Sequence, residues 1–256
     1  MIKKSLVKSN FSKAANSYDD YAVVQRYMGQ HLKDYLDKNE ANKVLEIGAG
    51  TGLFTQMLLD QFPKSDYLLV DISSKMISRC KEKFKDYSNI SYLVEDGETL
   101  ELDCSFDLIA SNASFQWFED LKGAIKNLKK HLNRGGKIYF STFGDRTFYE
   151  LRNSLVSIYG EDNYSQSFFS KEELEELLKD EFERVYIEEK EYKERFSRVR
   201  DFLRATKKIG ANSATKGKPI MTKGLLKRLE QEYESRYKKD GDIIVTHHLL
   251  FVRLED

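Results

Sequence analysis

Apolar positions in the first 145 residues change repeatedly between two spacings. Short apolar runs that are typical of buried strands fall at 43–47, 66–71, 90–96, 106–112 and 137–143. Between them, apolar residues recur every three or four positions, which predicts amphipathic helices over 53–62, 73–84 and 120–132. Strands that alternate with helices of this length indicate an α/β fold with a parallel, doubly wound sheet.

The pattern is less regular on either side of this region. In front of it, Phe11, Tyr18, Tyr21 and Gln25 fall on one face of a single predicted helix. Behind it, the pattern predicts helices over 147–159, 170–180, 198–209 and 223–237. A capping box, Ser170 to Glu173, marks the second of these. A loop at 210–220 joins the last two, and β-prone strands are predicted over 182–196 and 242–254. The helices at 197–240 would then form an insertion between two strands.

Composition changes this picture little. The 256 residues can bury a full core, and 42 basic residues balance 42 acidic ones. Net charge therefore gives no argument for a nucleic-acid or membrane partner. The basic N-terminus lacks the apolar stretch of a secretory signal. With two unpatterned cysteines, Cys80 and Cys104, the chain is expected to be cytoplasmic.

Three glycines follow the first predicted strand in "VLEIGAGTG", residues 44–52. A dinucleotide-binding turn reads G-x-G-x-x-G, but here Leu53 stands at the position of its third glycine. Glu46 argues further against a pyrophosphate, because a carboxylate would repel it. The same carboxylate suits a cationic ligand without phosphate, such as S-adenosylmethionine, and the glycines would allow its close approach.

Two further carboxylates follow the next two strands. Asp71 is placed to accept from both ribose hydroxyls, with Ile72 against the adenine, and Asp96 is placed to accept from the adenine amino group. Ligands bind at this carboxyl edge in open α/β sheets. The residues predicted to bind S-adenosylmethionine are Tyr18, Gln25, Glu46, Gly48, Ala49, Gly50, Thr51, Gly52, Asp71, Ile72, Met76, Asp96, Gly97, Glu98, Asn112 and Ala113. No metal site is predicted.

Residues 40–145 resemble the class I S-adenosylmethionine-dependent methyltransferases, whose motifs "VLEIGAGTG", "LLVDIS" and "FDLIASN" match in order. The segments "FSKAANSYDDYAVVQ", "SNASFQWFEDL", "YFSTFGDRTFYELR" and "FLRATKKIGANSA" extend the resemblance over residues 10–254, to the malonyl-acyl-carrier-protein O-methyltransferases of biotin synthesis (the BioC family). One departure is "EDGE" at 95–98, where that family usually has Gly-Asp-Ala-Glu.

The resemblance implies one Rossmann-like domain over 1–256, with a seven-stranded, mostly parallel sheet whose last strand is antiparallel. Within it, N-terminal lid helices would cover 1–38, the cofactor-binding core 40–145 and a docking insertion 197–240. The implied reaction methylates the free carboxylate of a malonyl thioester on acyl carrier protein. It yields S-adenosylhomocysteine and the methyl ester that primes pimelate synthesis for biotin.

Three residues are expected to carry this reaction. Arg152 would bind the carboxylate in a bidentate pair, Tyr18 would act from the lid, and Trp117 would lie against the sulfonium. A carboxylate ionised at neutral pH needs no general base. The four histidines (His31, His131, His247 and His248) are therefore expected to be structural or solvated, on helix or strand edges away from the loops.

An acidic carrier protein would dock on the basic segment 191–240 by charge complementarity. The candidate docking residues are Arg195, Arg198, Arg200, Arg204, Lys207 and Lys208. One alternative, a methyltransferase of a small-molecule acid or quinone precursor, would share every cofactor residue. A second is a binding protein without turnover, and the intact set of motifs argues against it. A nucleic-acid methyltransferase is disfavoured, because the chain is neutral and lacks an N-P-P-Y-type motif.

Overall fold

A computed structural model describes residues 2–37, 41–160, 167–211 and 222–256. Three helices come first: α1 (Lys4–Ala14), α2 (Tyr18–Tyr21) and α3 (Val23–Tyr35). The alternating region follows, with β1 (Lys43–Ile47), α4 (Leu53–Gln61), β2 (Asp66–Val70), α5 (Ser74–Lys83), β3 (Ile90–Leu93) and β4 (Phe106–Asn112). A short 3-10 helix (Phe115–Trp117), α6 (Leu121–Lys129) and β5 (Leu132–Phe143) complete it.

The later elements surround the far edge of the sheet. They are α7 (Tyr149–Tyr159), α8 (Lys171–Lys179), β6 (Arg184–Phe196), α9 (Val199–Lys208), α10 (Lys223–Tyr237), β7 (Lys238–Lys239) and β8 (Asp242–Glu255). The capping box of Ser170 and Glu173 is present at the start of α8. Most of the predicted loop at 210–220 lies outside the described residues.

The sheet has the order β3-β2-β1-β4-β5-β8-β6, and β7 pairs with β8. Strands β1 to β5 are parallel, whereas β8 runs antiparallel to both β5 and β6. The predicted seven-stranded sheet with an antiparallel last strand is therefore confirmed, and the two-residue β7 adds a short hairpin. This order places the carboxyl ends of β1, β2 and β4 side by side.

Side chains that alternate along the central strands fill a core on each face. Val44 packs with α3 and α4, whereas its neighbour Leu45 packs with α6 and α8. A third core joins α7, α9 and α10 to the start of β8, around Phe202 and Tyr233. The helical insertion thus has apolar packing of its own, directly beside the carboxyl edge.

The predicted single helix around residues 11–25 is wrong. The chain leaves α1 after Ala14, forms the one-turn α2, and turns again at Ala22, whose ψ of 48° is not helical. Phe11, Tyr18 and Gln25 nevertheless line one common cavity. The breaks, rather than a helical face, bring these side chains together.

Candidate active site

The glycine loop after β1 folds back onto the end of β2. The amides of Gly48 and Ala49 both donate to the carbonyl oxygen of Val70, at 2.8 and 3.0 Å. Gly48 has φ of +73°, and a Cβ there would lie 2.2 Å from the Ser114 hydroxyl oxygen. Both the backbone conformation and the close approach of Ser114 therefore require glycine.

Asp71 stands beside this loop, as predicted. Its Oδ2 accepts from the amide of Gly50 at 2.9 Å, and its Oδ1 accepts from the amide of Ser73 at 2.8 Å. Burial raises the pKa of Asp71 to about 6, although these two donors act in the opposite direction. Each oxygen keeps a lone pair, so the carboxylate can still accept from ligand hydroxyls.

Glu46 lies beneath the glycine loop and is 1% exposed. It accepts a hydrogen bond of 2.6 Å from the Thr55 hydroxyl. Burial raises the pKa of Glu46 to about 8, and the nearby charge of Asp71 acts in the same direction. This carboxyl group supports the loop from behind and lines neither of the two cavities that the structure describes at the site.

We call the first of these cavities the glycine-loop cleft. It is lined by Lys4, Val7, Phe11, Tyr18, Ile47, Gly48, Gly50, Val70, Asp71, Ile72, Met76, Asp96, Gly97, Asn112, Ala113, Ser114, Trp117 and Phe118. Ten of the sixteen residues predicted to bind the cofactor are among them. Gln25 lines the second cavity instead, whereas the other five, Glu46, Ala49, Thr51, Gly52 and Glu98, line neither of the two.

Helix α1 lies against the glycine-loop cleft, and the contacts that its Lys4 and Ser12 make there were not predicted from the sequence. Lys4 Nζ lies 2.9 Å from Asp96 Oδ1 and 2.6 Å from Glu98 Oε2, and 4.7 Å from the centre of the Phe118 ring. The side chain of Ser12 bonds that of Ser73, the residue that caps α5, at 2.8 Å. A lysine in a basic N-terminus gives no periodic signal, so its role becomes visible only in three dimensions.

The second cavity, the apolar cavity, lies between the N-terminal helices, α7 and α9. Its volume is about 260 Å³, which is at the small end for a ligand site. Its walls include Phe143, Phe148, Phe196 and Phe202. It adjoins the glycine-loop cleft at residues that line both: Phe11, Tyr18, Ala113 and Trp117.

The junction between the two cavities is built from constrained residues. Ala113 has φ of +52°, a left-handed conformation that is uncommon for alanine. Trp117 is 7% exposed, its ring lies 5.6 Å from that of Phe11, and its Nε1 has no hydrogen-bond partner among the described residues. Burial and the charges of Asp71 and Asp19 raise the pKa of Tyr18, so its phenol keeps its proton.

Arg152 lines the apolar cavity from α7 and donates to the carbonyl oxygen of Asp145. Buried Glu150 fixes this helix to β8, because its carboxylate accepts from the Thr246 amide at 3.1 Å and from the Thr246 hydroxyl at 2.5 Å. Phe148, with φ of +59°, donates its amide to the carbonyl oxygen of Thr246. The guanidinium is therefore presented from a firmly attached helix.

His247 lies within a strand, β8, as expected, but the sequence did not predict that this strand brings it to the site. This residue is 5% exposed and lines the apolar cavity together with Glu194. Strands β5 and β8 are antiparallel, and β8 extends beyond Phe143, the last residue of β5. His247 therefore lies just past the carboxyl end of β5. The sequence did show a histidine within an otherwise apolar predicted strand. It does not show, however, where in the sheet this C-terminal strand pairs.

Three of the six candidate docking residues already take part in ion pairs. Arg200 makes two bonds to Glu230, at 2.8 and 2.7 Å, while Arg195 pairs with Asp240 and Arg204 with Asp201. Exposed Arg198, Lys207 and Lys208 have no ion-pair partner among the described residues. Among the six candidate docking residues, those without an ion pair therefore lie at the two ends of α9.

The sheet order, the left-handed glycine loop and the carboxylates at the strand ends define a class I methyltransferase. A cationic methyl donor without phosphate fits the glycine-loop cleft. The residues that line the cleft offer glycine backbone and carboxylates but no phosphate cradle, and the one lysine among them is already paired.

A family model described as a methyltransferase domain matches residues 45–138. Malonyl-acyl-carrier-protein O-methyltransferase 2 of Ilyobacter polytropus is 43% identical over 99% of this chain and 98% of its own length. The enzyme of that name from Bacillus anthracis is 36% identical over 99% of this chain and 98% of its own. This chain belongs to the malonyl-acyl-carrier-protein O-methyltransferase family.

A solved structure supports the same fold. The N-methyltransferase NodS of Bradyrhizobium japonicum, in complex with S-adenosylhomocysteine, superposes with a TM-score of 0.51 at 18% identity, covering 92% of this chain and 87% of that one. The methyl donor of the present protein is S-adenosylmethionine. None of the helices in the described ranges is long and apolar enough to cross a membrane.

Proposed function

We propose that this protein transfers the methyl group of S-adenosylmethionine to the free carboxylate of a malonyl thioester on acyl carrier protein. The main support is the apolar cavity that adjoins the glycine-loop cleft and has an arginine in its wall. A small, mostly apolar space with one guanidinium suits a short acyl chain that ends in an anion.

The acceptor oxygen needs no activation by the protein. A carboxyl group with a pKa near 4 is protonated to only about one part in a thousand at pH 7. Its oxygen can attack the methyl carbon directly, as the carbon–sulfur bond breaks and the sulfonium becomes a neutral thioether. Bound S-adenosylmethionine supplies this electrophilic methyl group, so the protein's work is recognition and alignment.

Each proposed catalytic residue has a place in that alignment. Arg152 binds the acyl carboxylate from the cavity wall, and Tyr18 and Trp117 hold the junction through which the methyl passes. The surrounding phenylalanines exclude water that would solvate the carboxylate. Orientation of this kind can supply about 7–11 kcal/mol of the barrier.

The carrier protein docks at α9 in this proposal. Leu203 and Thr206 of this helix and Ile209 directly after it line the cavity, while Lys207 and Lys208 are exposed beside them. A phosphopantetheine arm can therefore reach the cavity from a carrier held by these lysines. The charges mainly raise the association rate and make it dependent on salt.

Mass spectrometry of malonyl carrier protein after incubation with S-adenosylmethionine tests the proposal. We expect one added methylene on the malonyl carrier, and less product from malonyl-CoA and free malonate at equal concentration. A panel of free dicarboxylates and quinone precursors tests the small-molecule alternative. Methylation of one of those acids, with none of the malonyl carrier, would overturn the proposed function.

A further inference from the structure

His247 interrupts a row of apolar side chains on one face of β8. Val245, Leu249 and Phe251 occupy the neighbouring positions of that face and are fully buried. The Phe148 ring lies 5.1 Å from the imidazole and the Phe143 ring 6.0 Å from it. The ring is thus fixed in the wall of the apolar cavity by aromatic packing.

Glu194 of β6 is the polar partner of this histidine. Tyr192 pairs with His247 across the two strands, so Glu194 lies diagonally opposite and reaches His247 Nε2 at 2.9 Å. An ionised carboxylate only accepts hydrogen bonds, so the proton of this bond is on Nε2. The other ring nitrogen, Nδ1, is buried and has no hydrogen-bond partner among the described residues.

This arrangement poses an electrostatic problem for an anionic substrate. Glu194 lines the same cavity as Arg152, so its negative charge would repel a malonyl carboxylate. Imidazole protonated on both nitrogens removes that repulsion, because it neutralises Glu194. In that form Nδ1 carries a proton that can be donated to a ligand oxygen, at a buried position that has no partner among the described residues.

We propose that His247, held by Glu194, is a second recognition residue for the malonyl group, donating from Nδ1 to its carboxylate while Arg152 binds the same anion. This inference rests on the proposed function. The pair makes the cavity selective for a charged acyl end: the malonyl carboxylate accepts a charge-assisted bond, which the uncharged methyl ester product cannot match.

His247→Phe tests this role, because phenylalanine keeps the aromatic packing but neither donates nor carries charge. We expect the KM for malonyl carrier protein to rise about tenfold or more, as for loss of one hydrogen bond to a charged group. Affinity for the carrier bearing the neutral malonyl methyl ester should change less than about twofold. The double variant His247→Phe/Glu194→Gln should recover part of the lost KM, since the repelling charge is gone.

His31→Phe is the matched control. His31 also pairs with a β6 glutamate, Glu188, at 3.2 Å and packs on Phe251, but it lines neither cavity. Its KM should equal that of the wild type, and thermal melting establishes that each variant is folded. If His247→Phe does not fold, His247→Leu, which is apolar and has neither a donor nor a charge, is measured in its place.

The outcomes separate this inference from the function on which it rests. An unchanged KM in a folded His247 variant, or an equal loss of affinity for malonyl and ester carriers, overturns the role of His247. Failure of the wild-type protein to methylate malonyl carrier overturns the proposed function itself.

Discussion

Replacement of Gly52 by alanine tests why the glycine loop ends in glycine. Gly52 precedes α4 with φ of +83°, and an added Cβ would lie 2.4 Å from Phe84 Cε2 and 3.0 Å from Cys80 Sγ. Phe84 is 1% exposed within the core beneath the loop, so its ring has little room to retreat. The substitution therefore combines backbone strain with overpacking.

The two costs can be separated. A left-handed conformation costs a residue with a Cβ about 1–2 kcal/mol. Overpacking of a tight core costs a further 1–3 kcal/mol, roughly, for a total of about 2–5 kcal/mol. Gly135 provides the matched control, because its φ is +76° and an added Cβ would meet nothing within 4 Å. Gly135→Ala should therefore cost only about 1–2 kcal/mol.

Urea denaturation of both variants measures the difference through the midpoint and slope of unfolding. The reasoning about Phe84 is refuted if Gly52→Ala and Gly135→Ala are destabilised equally. Adding Phe84→Leu to Gly52→Ala should return part of the loss, as a favourable coupling energy in a double-mutant cycle. Gly52 would then be required for packing of α4 on α5, rather than for contact with the cofactor.

Four further predictions address the site. Arg152→Ala should keep its calorimetric affinity for S-adenosylmethionine within about twofold yet lose at least tenfold, roughly, in malonyl methylation; unchanged turnover would remove Arg152 from the acceptor site. Lys4→Glu replaces the ion pairs to Asp96 and Glu98 with like-charge repulsion, which should move α1 away from the cleft and lower cofactor affinity about tenfold, whereas exposed Lys8→Glu should leave the affinity unchanged. The free energy of unfolding should decrease from pH 4.5 to about 8, because folded Glu46 holds a proton that the unfolded chain releases near 4.5; a Glu46→Gln variant with the same slope would contradict this. The KM for carrier protein should rise with salt while cofactor affinity stays constant, and a salt-independent KM would exclude charge-based docking.

The cofactor side of the site was largely predictable because its signals are local. The glycine spacing at 48–52 fixes a turn. Asp71 directly follows β2 and Asp96 comes shortly after β3, and the ends of these strands must share one edge of a parallel sheet. The prediction of the strand ends was less exact, since β3 stops at Leu93 and β5 begins at Leu132. Edge pairing and a register shift near Phe106 decide those limits.

The acceptor side depends on contacts between distant parts of the chain. His247 and Glu194 meet through an antiparallel pairing, and Lys4 reaches Asp96 across 92 residues. Neither contact is marked by a periodic pattern in the sequence. The break after Ala14 also lacks a glycine or proline, so the helical spacing of residues 11–25 predicted a continuous helix.

The position of Trp117 has a practical consequence for measurement. It is the one tryptophan in the chain, and it borders both cavities and contacts Phe11 of α1. Its fluorescence therefore comes from the point where methyl donor, acceptor and covering helix meet. Emission from the unlabelled wild-type protein can follow the arrival of each ligand in real time, with no dye and no substitution near the site.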